Sequence, residues 1–289
     1  MSSTANVLAQ KVKLATGATI PQVQLGLYMM SRTEASQSVR WALEAGYRGF
    51  DCAQMYRNER EAGKAIADYL ASPSSGAGGP TREDVFYTTK LASNSTSYDA
   101  VRRSIRKSVD VCGLGYVDLF LLHSPYGGRE ARLTSWKAVE DAIDEGEVKM
   151  GGVSNYGVQH IEELMSSSPR HQPVVNQIEV HPFNTQVAIR ETCAKHNIII
   201  EAYAPLARAM KMNDKTLVSL SKKYSCTVAQ LLVRWSLQND FVTLPKSSSQ
   251  DRIIQNADVG GFEISKEDVE VMSGLHEGLV TDWDPTNAP

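Results

Sequence analysis

The sequence predicts an α/β chain folded as one (β/α)8 barrel, and three observations carry that expectation. Eight short runs rich in β-branched, aliphatic and aromatic residues, at 23–27, 48–51, 85–90, 117–123, 148–155, 174–178, 198–203 and 241–246, alternate with stretches of helical period. Nearly every run closes on a polar side chain, as strands do when their C-terminal ends build a common mouth. An open, doubly wound sheet accounts for the alternation equally well, but it needs a GxGxxG turn after its first strand, and none occurs in the chain.

The connecting segments follow in order. A short hairpin is expected ahead of the first run. Ala35, Val39, Ala42 and Leu43 fall on one helical face, as do Val101, Ile105, Val109 and Cys112, so both segments are read as helices packed on a barrel. The glycine-rich segment 74–80 lies between a helix and a strand and reads as a flexible loop on the non-catalytic face. An extra helix is expected over 214–224. Thr227, with Gln230 three residues later and Leu231, Leu232 and Trp235 beyond, has the pattern of a capping box and marks a helix start before the last strand. No linker or repeat divides the chain, so residues 1–289 are expected to form one barrel domain, with extra helices near the C-terminus.

Composition bounds the function. With 42% hydrophobic and 22% charged residues and a formal net charge of -3, the chain has no general attraction for nucleic acid or anionic membranes. The four cysteines, Cys52, Cys112, Cys193 and Cys226, are too scattered for a disulfide framework or a CxxC knuckle, which fits a reducing compartment. The segment 1–13 lacks the apolar stretch of a secretory signal, and no later run is long enough to span a bilayer, so a cytoplasmic protein is expected.

Polar residues cluster at the strand ends: Asp51, Lys90, His123, Ser154, Asn155, Gln177, Tyr203 and Lys246. Singly, each reads as a helix cap, a solvated strand end or a satisfied core residue; their joint placement at one mouth argues for a site. The run Gly46-Tyr47-Arg48-Gly49-Phe50-Asp51-Cys52-Ala53-Gln54-Met55-Tyr56 resembles the GYRxxDTAxxY signature of the aldo-keto reductase family. Further matches run along nearly the whole chain in the family's order: Asn58 and Glu59, Lys90, His123 with Pro125, Gly152 to Asn155, Asn176 with Gln177, Tyr203 to Leu206, and Pro245 to Ser247 followed by Arg252 and Asn256.

The resemblance implies an oxidoreductase that reduces aldehydes or ketones with NADPH, with Asp51, Tyr56, Lys90 and His123 as its catalytic tetrad. The residue types suit that chemistry. A carbonyl needs a proton donor at oxygen, and an ordinary phenol, with a pKa of about 10, is reluctant. Lys90 beside Tyr56 is expected to lower that pKa, Asp51 to hold the ammonium, and His123 to orient the carbonyl and stabilise charge developing on its oxygen.

The resemblance also implies a cofactor set of Gly26, Leu27, Ser154, Asn155, Gln177, Tyr203, Pro205, Leu206, Lys246, Ser247, Ser248, Ser249, Arg252, Gln255 and Asn256. Tyr203 is expected to stack on the nicotinamide, and Ser154, Asn155 and Gln177 to hold its carboxamide. Lys246 to Ser249 and Arg252, at a helix start, suit the 2′-phosphate of NADPH. Substrate contacts are expected from Tyr28, Met55, His123, Ser124 and Tyr126, with the segment around Trp283. Cys52, Tyr28 and Ser124 depart from the family's usual Thr, Trp and Trp. Cys52 reads as a buried filler, and the segments 126–133 and 206–213 read as short loops leaving an open pocket and quick cofactor release. The expected partner is a small carbonyl compound, without nucleic acid, membrane or metal, for a monomer or weak homodimer. Two rivals are a barrel that binds NADPH but serves as a regulatory or structural subunit, and a metal-dependent hydrolase using His123 and His181, for which a ligand motif such as HExxH is missing.

Overall fold

Leu25–Gly26 (β3), Gly49–Asp51 (β4), Phe86–Leu91 (β5), Val117–Leu122 (β6), Val148–Ser154 (β7), Val175–Glu179 (β8), Ile199–Tyr203 (β9) and Val242–Leu244 (β10) pair in parallel, each with the next, in a computed structural model that describes residues 7–72 and 79–289. The sheet closes on itself. Val23 bridges Thr243 in parallel, the Thr243 amide donates to the Gln22 carbonyl at 2.8 Å, and the Gly26 amide donates to the Pro245 carbonyl at 3.2 Å. The strands at the closure are shorter than the runs 23–27 and 241–246, and Val242–Leu244 stops before Pro245, which has no N–H to extend the ladder. Of the expected loop over 74–80, residues 74–78 lie outside the described residues.

An antiparallel hairpin of β1 (Lys11–Lys13) and β2 (Thr19–Pro21) precedes the barrel, as expected. It plugs the end at which the strands begin: Leu14 and Ile20 pack in one buried cluster with Phe86, Leu119, Leu121, Met150, Val175 and Val242. Each fully buried aliphatic or aromatic side chain there contributes about 1.5–3 kcal/mol. Leu121→Ala, at 0% exposure, would cost about 2–5 kcal/mol through lost contacts and the void left behind.

Strand periodicity converts this apolar plug into a polar mouth. Side chains alternate across a strand, so residues paired in register and two apart share a face. Phe86, Thr88 and Lys90 lie on one face of β5, as do Leu119 and Leu121 of β6, Val175, Gln177 and Glu179 of β8, and Ile199, Glu201 and Tyr203 of β9. The interior is therefore apolar where strands begin and charged where they end. It is also crowded. A Cβ on Gly152 would fall 2.6 Å from the Leu121 Cδ2, so only glycine fits there.

The outer helices follow from their apolar faces and caps. In the helix Arg32–Ala45 the residues Ala35, Val39, Ala42 and Leu43 are buried, and Ser31 with Glu34 forms a capping box. In Tyr98–Cys112 the buried face includes Val101, Ile105 and Cys112, with Val109 packed at its edge. The helix Lys215–Lys223 is the extra one expected, capped by Asp214 accepting from the Thr216 and Leu217 amides at 2.9 and 3.0 Å. Thr227 and Gln230 cap Val228–Gln238 reciprocally, and Gln250–Ala257 and Lys266–Ser273 follow. Among the described residues no helix is long and apolar enough to cross a membrane.

Candidate active site

Asp51 is the last residue of β4, Lys90 the penultimate residue of β5, and His123 follows β6 directly. Tyr56 ends a 3-10 turn, Gln54–Tyr56, that is closed by Arg57 at φ 57°. These local features bring the four together. The Lys90 ammonium, fully buried, donates to Asp51 Oδ1 at 2.7 Å and Oδ2 at 2.8 Å, to the Cys52 carbonyl at 2.8 Å and to the Tyr56 hydroxyl oxygen at 3.2 Å. Because the ammonium is the donor in that last contact, the phenol keeps its own hydrogen, which has no protein acceptor among the described residues. Lys90 thus receives the charge-assisted bonds that make a buried cation tolerable.

One expectation is corrected here. Lys90 does not bring the Tyr56 phenol below the usual range; burial foremost, and then the Asp51 carboxylate, push its pKa well up. The ammonium is so closely matched by Asp51 that little of its field is left to favour a phenolate. Tyr56 is a neutral phenol at physiological pH.

His123 stands against Tyr56 on one side and Trp283 on the other, with ring centroids 5.8 and 6.2 Å away in edge-on contact. Burial, and secondarily Lys90, push its pKa down to about 3, so the imidazole is neutral. Its Nδ1 is buried without a protein partner, a polar atom left open for something else. Its carbonyl accepts from Asn155 Nδ2 at 3.0 Å.

Ser154, Asn155, Gln177 and Tyr203 converge beside the tetrad, but their polar groups are largely engaged with one another. The Tyr203 hydroxyl donates to Asn155 Oδ1 at 2.8 Å, Ser154 Oγ donates to the Gln177 carbonyl at 2.9 Å, and Asn155 adopts φ 59°. The Gln177 amide nitrogen donates across the barrel to Asp51 Oδ2 at 2.8 Å and to Glu201 Oε2 at 2.9 Å, so both its hydrogens are committed within the protein. Gly26 and Leu27 are buried; the Leu27 side chain belongs to the core and its amide donates to the Asp51 carbonyl at 3.0 Å. Pro205 is buried and Leu206 half-buried.

Lys246 and Arg252 are exposed, and neither has a carboxylate within ion-pair distance among the described residues. They flank the N-terminus of Gln250–Ala257, where Ser249 makes no side-chain cap bond. Ser247 Oγ accepts from the Ser249 amide at 3.1 Å, Ser248 is half-buried, Gln255 is exposed and Asn256 buried. Free amides and unpaired cations at a helix start form a donor set that fits a phosphate monoester.

The mouth is aromatic. The Tyr28 and Tyr56 rings lie 5.1 Å apart, and Tyr126 lies 5.8 Å from Trp283. Tyr28, Met55 and Tyr126 are exposed, while Ser124 is buried and its carbonyl accepts from Asn94 Nδ2 at 2.8 Å. Cys52 is a buried filler as expected: its thiol donates to Asn58 Oδ1 at 3.0 Å, and burial pushes its pKa up.

The two segments expected to be short loops differ from one another. The helix Gly128–Asp144 takes up most of the segment 126–133, so the loop after β6 is shorter than expected. The segment 206–213 is short but tethered: Arg208, at φ 49°, pairs with Asp282 at 3.0 Å and donates to the Met29 sulfur at 3.3 Å, and burial, followed by the Asp282 carboxylate, pushes the Tyr28 pKa up. The C-terminal segment is further held by Glu179 Oε1, which accepts from the Thr281 amide at 2.9 Å and from His181 Nε2 at 2.9 Å. Sequence reasoning matched Asn58 to the family without giving it work: its Nδ2 donates to the Leu27 and Met30 carbonyls, both at 3.1 Å, and so fixes the segment carrying Tyr28. A separate groove of about 900 Å³, lined by residues such as Leu14, Arg190 and Phe241, lies where the strands begin, away from the tetrad.

The model of the Aldo/keto reductase family matches residues 22–277, and the chain belongs to that family. It is 45% identical over 283 residues to an uncharacterized oxidoreductase of Schizosaccharomyces pombe, covering 98% of this chain and 100% of that protein. It is 35% identical over 271 residues to glyoxal reductase of Bacillus subtilis, covering 93% and 94%. Among solved structures, Bombyx mori aldo-keto reductase in complex with NADP superposes with a TM-score of 0.87 at 32% identity, covering 96% of this chain and 98% of that one. The fold and family together make this an oxidoreductase.

Proposed function

We propose that the protein reduces the carbonyl of an aldehyde or ketone to an alcohol, with NADPH as the reductant and Tyr56 as the proton donor. The observation that carries this reading is the placement of a neutral phenol, its hydrogen free, against a buried ammonium and beside a neutral imidazole. NADPH, when bound, supplies the hydride that no side chain can provide. Tyr203, Ser154 and Asn155 would hold its nicotinamide end, exchanging some of their present mutual bonds for it, and Gln177 would contribute its side-chain carbonyl oxygen while its amide hydrogens stay on Asp51 and Glu201. Lys246, Ser247, Ser248, Ser249, Arg252, Gln255 and Asn256 would hold the phosphate-bearing end. The Bombyx mori relative, solved with NADP, supports that choice of cofactor.

Tyr56 gives its proton to the carbonyl oxygen as negative charge grows there, and Lys90, already bonded to the phenol oxygen, stabilises the phenolate as it forms. The ammonium therefore acts on the product of the transfer more than on the resting phenol. His123, unable to take a proton at neutral pH, acts as a hydrogen-bond donor that orients the carbonyl. Tyr28, Met55, Tyr126 and Trp283 offer an apolar, aromatic wall that suits small neutral carbonyl compounds. The test is a panel of aldehydes, ketones and dicarbonyls assayed with NADPH and with NADH: turnover with NADPH preferred is expected, and a folded, cofactor-binding protein that turns over none of them would overturn the reading.

A further inference from the structure

Glu201 is a carboxyl placed in the middle of the barrel. It belongs to β9 between Ile199 and Tyr203 on the inward face, and its exposure is 0%. Both oxygens accept from amides only: Oε2 from Gln177 at 2.9 Å and Oε1 from Gln24 Nε2 at 3.0 Å. Gln24 reaches it because residue 49 is glycine; a Cβ on Gly49 would fall 2.4 Å from Gln24 Cγ. The same Gln177 amide nitrogen donates to Asp51 Oδ2 at 2.8 Å, so an unbroken line of hydrogen bonds runs from Glu201 through Gln177 and Asp51 to Lys90 and the Tyr56 oxygen.

We propose that Glu201 is a positioning residue of the reduction, acting through Gln177 on the Asp51–Lys90 pair that supports Tyr56. This inference rests on the carbonyl-reductase reading. The charged groups near Glu201 are Asp51 on β4 and Lys90 on β5; its partners from β8 and from the segment before β3 are the neutral amides of Gln177 and Gln24. With no cation of its own, an ionised Glu201 would be an unmatched buried charge beside another carboxylate. Burial and the Asp51 carboxylate accordingly push its pKa up. Protonated, it leaves Lys90 matched by one carboxylate, accepts from the Gln177 amide that fixes Asp51 Oδ2, and gives its hydrogen to Gln24, whose buried Oε1 otherwise lacks a partner among the described residues and meets Glu201 once that amide turns over. Ionised, it adds a second negative charge to the core, which opposes phenolate formation on Tyr56 and slows proton donation. Reduction should therefore fall as pH rises through the titration of Glu201.

The test compares wild type, Glu201→Gln and Glu201→Leu. Glu201→Gln, a neutral mimic that keeps the amide network, should retain kcat within about threefold at pH 7 and lose the alkaline fall, while Glu201→Leu should lose about tenfold or more in kcat with its NADPH Kd unchanged. Infrared difference spectra should show a protonated-carboxyl band in wild type that is missing in Glu201→Gln. Should Glu201→Leu fail to fold, the pH profile of Glu201→Gln and the infrared band decide. A folded Glu201→Leu with wild-type kcat, a Glu201→Gln as impaired as the leucine variant, or a wild type without that band would overturn the inference while leaving the reductase reading intact. A wild type that reduces no carbonyl would remove that reading and this role with it.

Discussion

Lys90 and Tyr56 stand 34 residues apart in the chain, yet the Lys90 ammonium donates to the Tyr56 oxygen at 3.2 Å while Asp51 holds the same ammonium at 2.7 and 2.8 Å. The phenol is left with one hydrogen to give and a cation already in place to receive the charge.

Removing that cation strands Asp51. Lys90→Met should destabilise the fold by about 3–5 kcal/mol, because a carboxylate at 3% exposure loses its counter-ion. Turnover should fall by about 10²–10⁴. Denaturant unfolding and kcat, measured on the same preparation, check both effects. Asp51→Asn, which keeps a hydrogen-bond acceptor toward Lys90, should retain more stability than Lys90→Met.

His123, with its pKa pushed down to about 3, stays neutral in the folded protein throughout the physiological range. The pH profile of kcat/KM should therefore show no protonation step near pH 6.5, where an ordinary imidazole titrates. Stability carries the opposite mark. The unfolded chain binds a proton at His123 below about pH 6.5 and the folded chain does not until about 3, so this residue makes the fold lose stability as pH falls through that window. His123→Gln should flatten that part of the stability profile.

Lys246 and Arg252 carry charge without a carboxylate partner among the described residues. Arg252→Ala should weaken NADPH binding by about 10- to 100-fold, the worth of one or two charge-assisted bonds, and leave NADH binding nearly unchanged. Fluorescence titration with both nucleotides measures the ratio, and an unchanged ratio would remove Arg252 from the phosphate site.

The Arg208–Asp282 pair joins the segment after β9 to the C-terminal segment at the mouth. Both side chains are partly exposed, so Asp282→Asn should raise the NADPH dissociation rate by no more than about fivefold, the equivalent of about 1 kcal/mol. Stopped-flow release checks this; an unaltered rate would mean the tether does not gate the cofactor.

The barrel was readable in the sequence because its pattern is local, and the meeting of Asp51, Tyr56, Lys90 and His123 was expected from the family resemblance. Eight β-rich runs announce eight strands, and a polar residue that closes a run falls at the mouth because it stands at the C-terminal end of its strand. The packing across the barrel was not readable. Gln177 at a strand end says nothing of its bond to Asp51, 126 residues away, which depends on the register of four intervening strand pairs. Glu201 did leave a signal, a charged residue flanked by Ile200 and Ala202 in a buried strand, but its meaning required knowing what lay opposite. The fall of the Tyr56 pKa, expected from Lys90 alone, was misjudged for a similar reason. Sequence shows the cation, whereas burial and the matching carboxylate are properties of the folded interior.

The central claim is a proton from Tyr56 delivered in step with hydride. Single-turnover reduction by Tyr56→Phe, with NADPH affinity measured on the same sample, addresses it most directly. Carbonyl reduction slowed by about 10²–10⁴ with NADPH held as tightly as in wild type is the predicted result. Reduction at a rate close to wild type would contradict it.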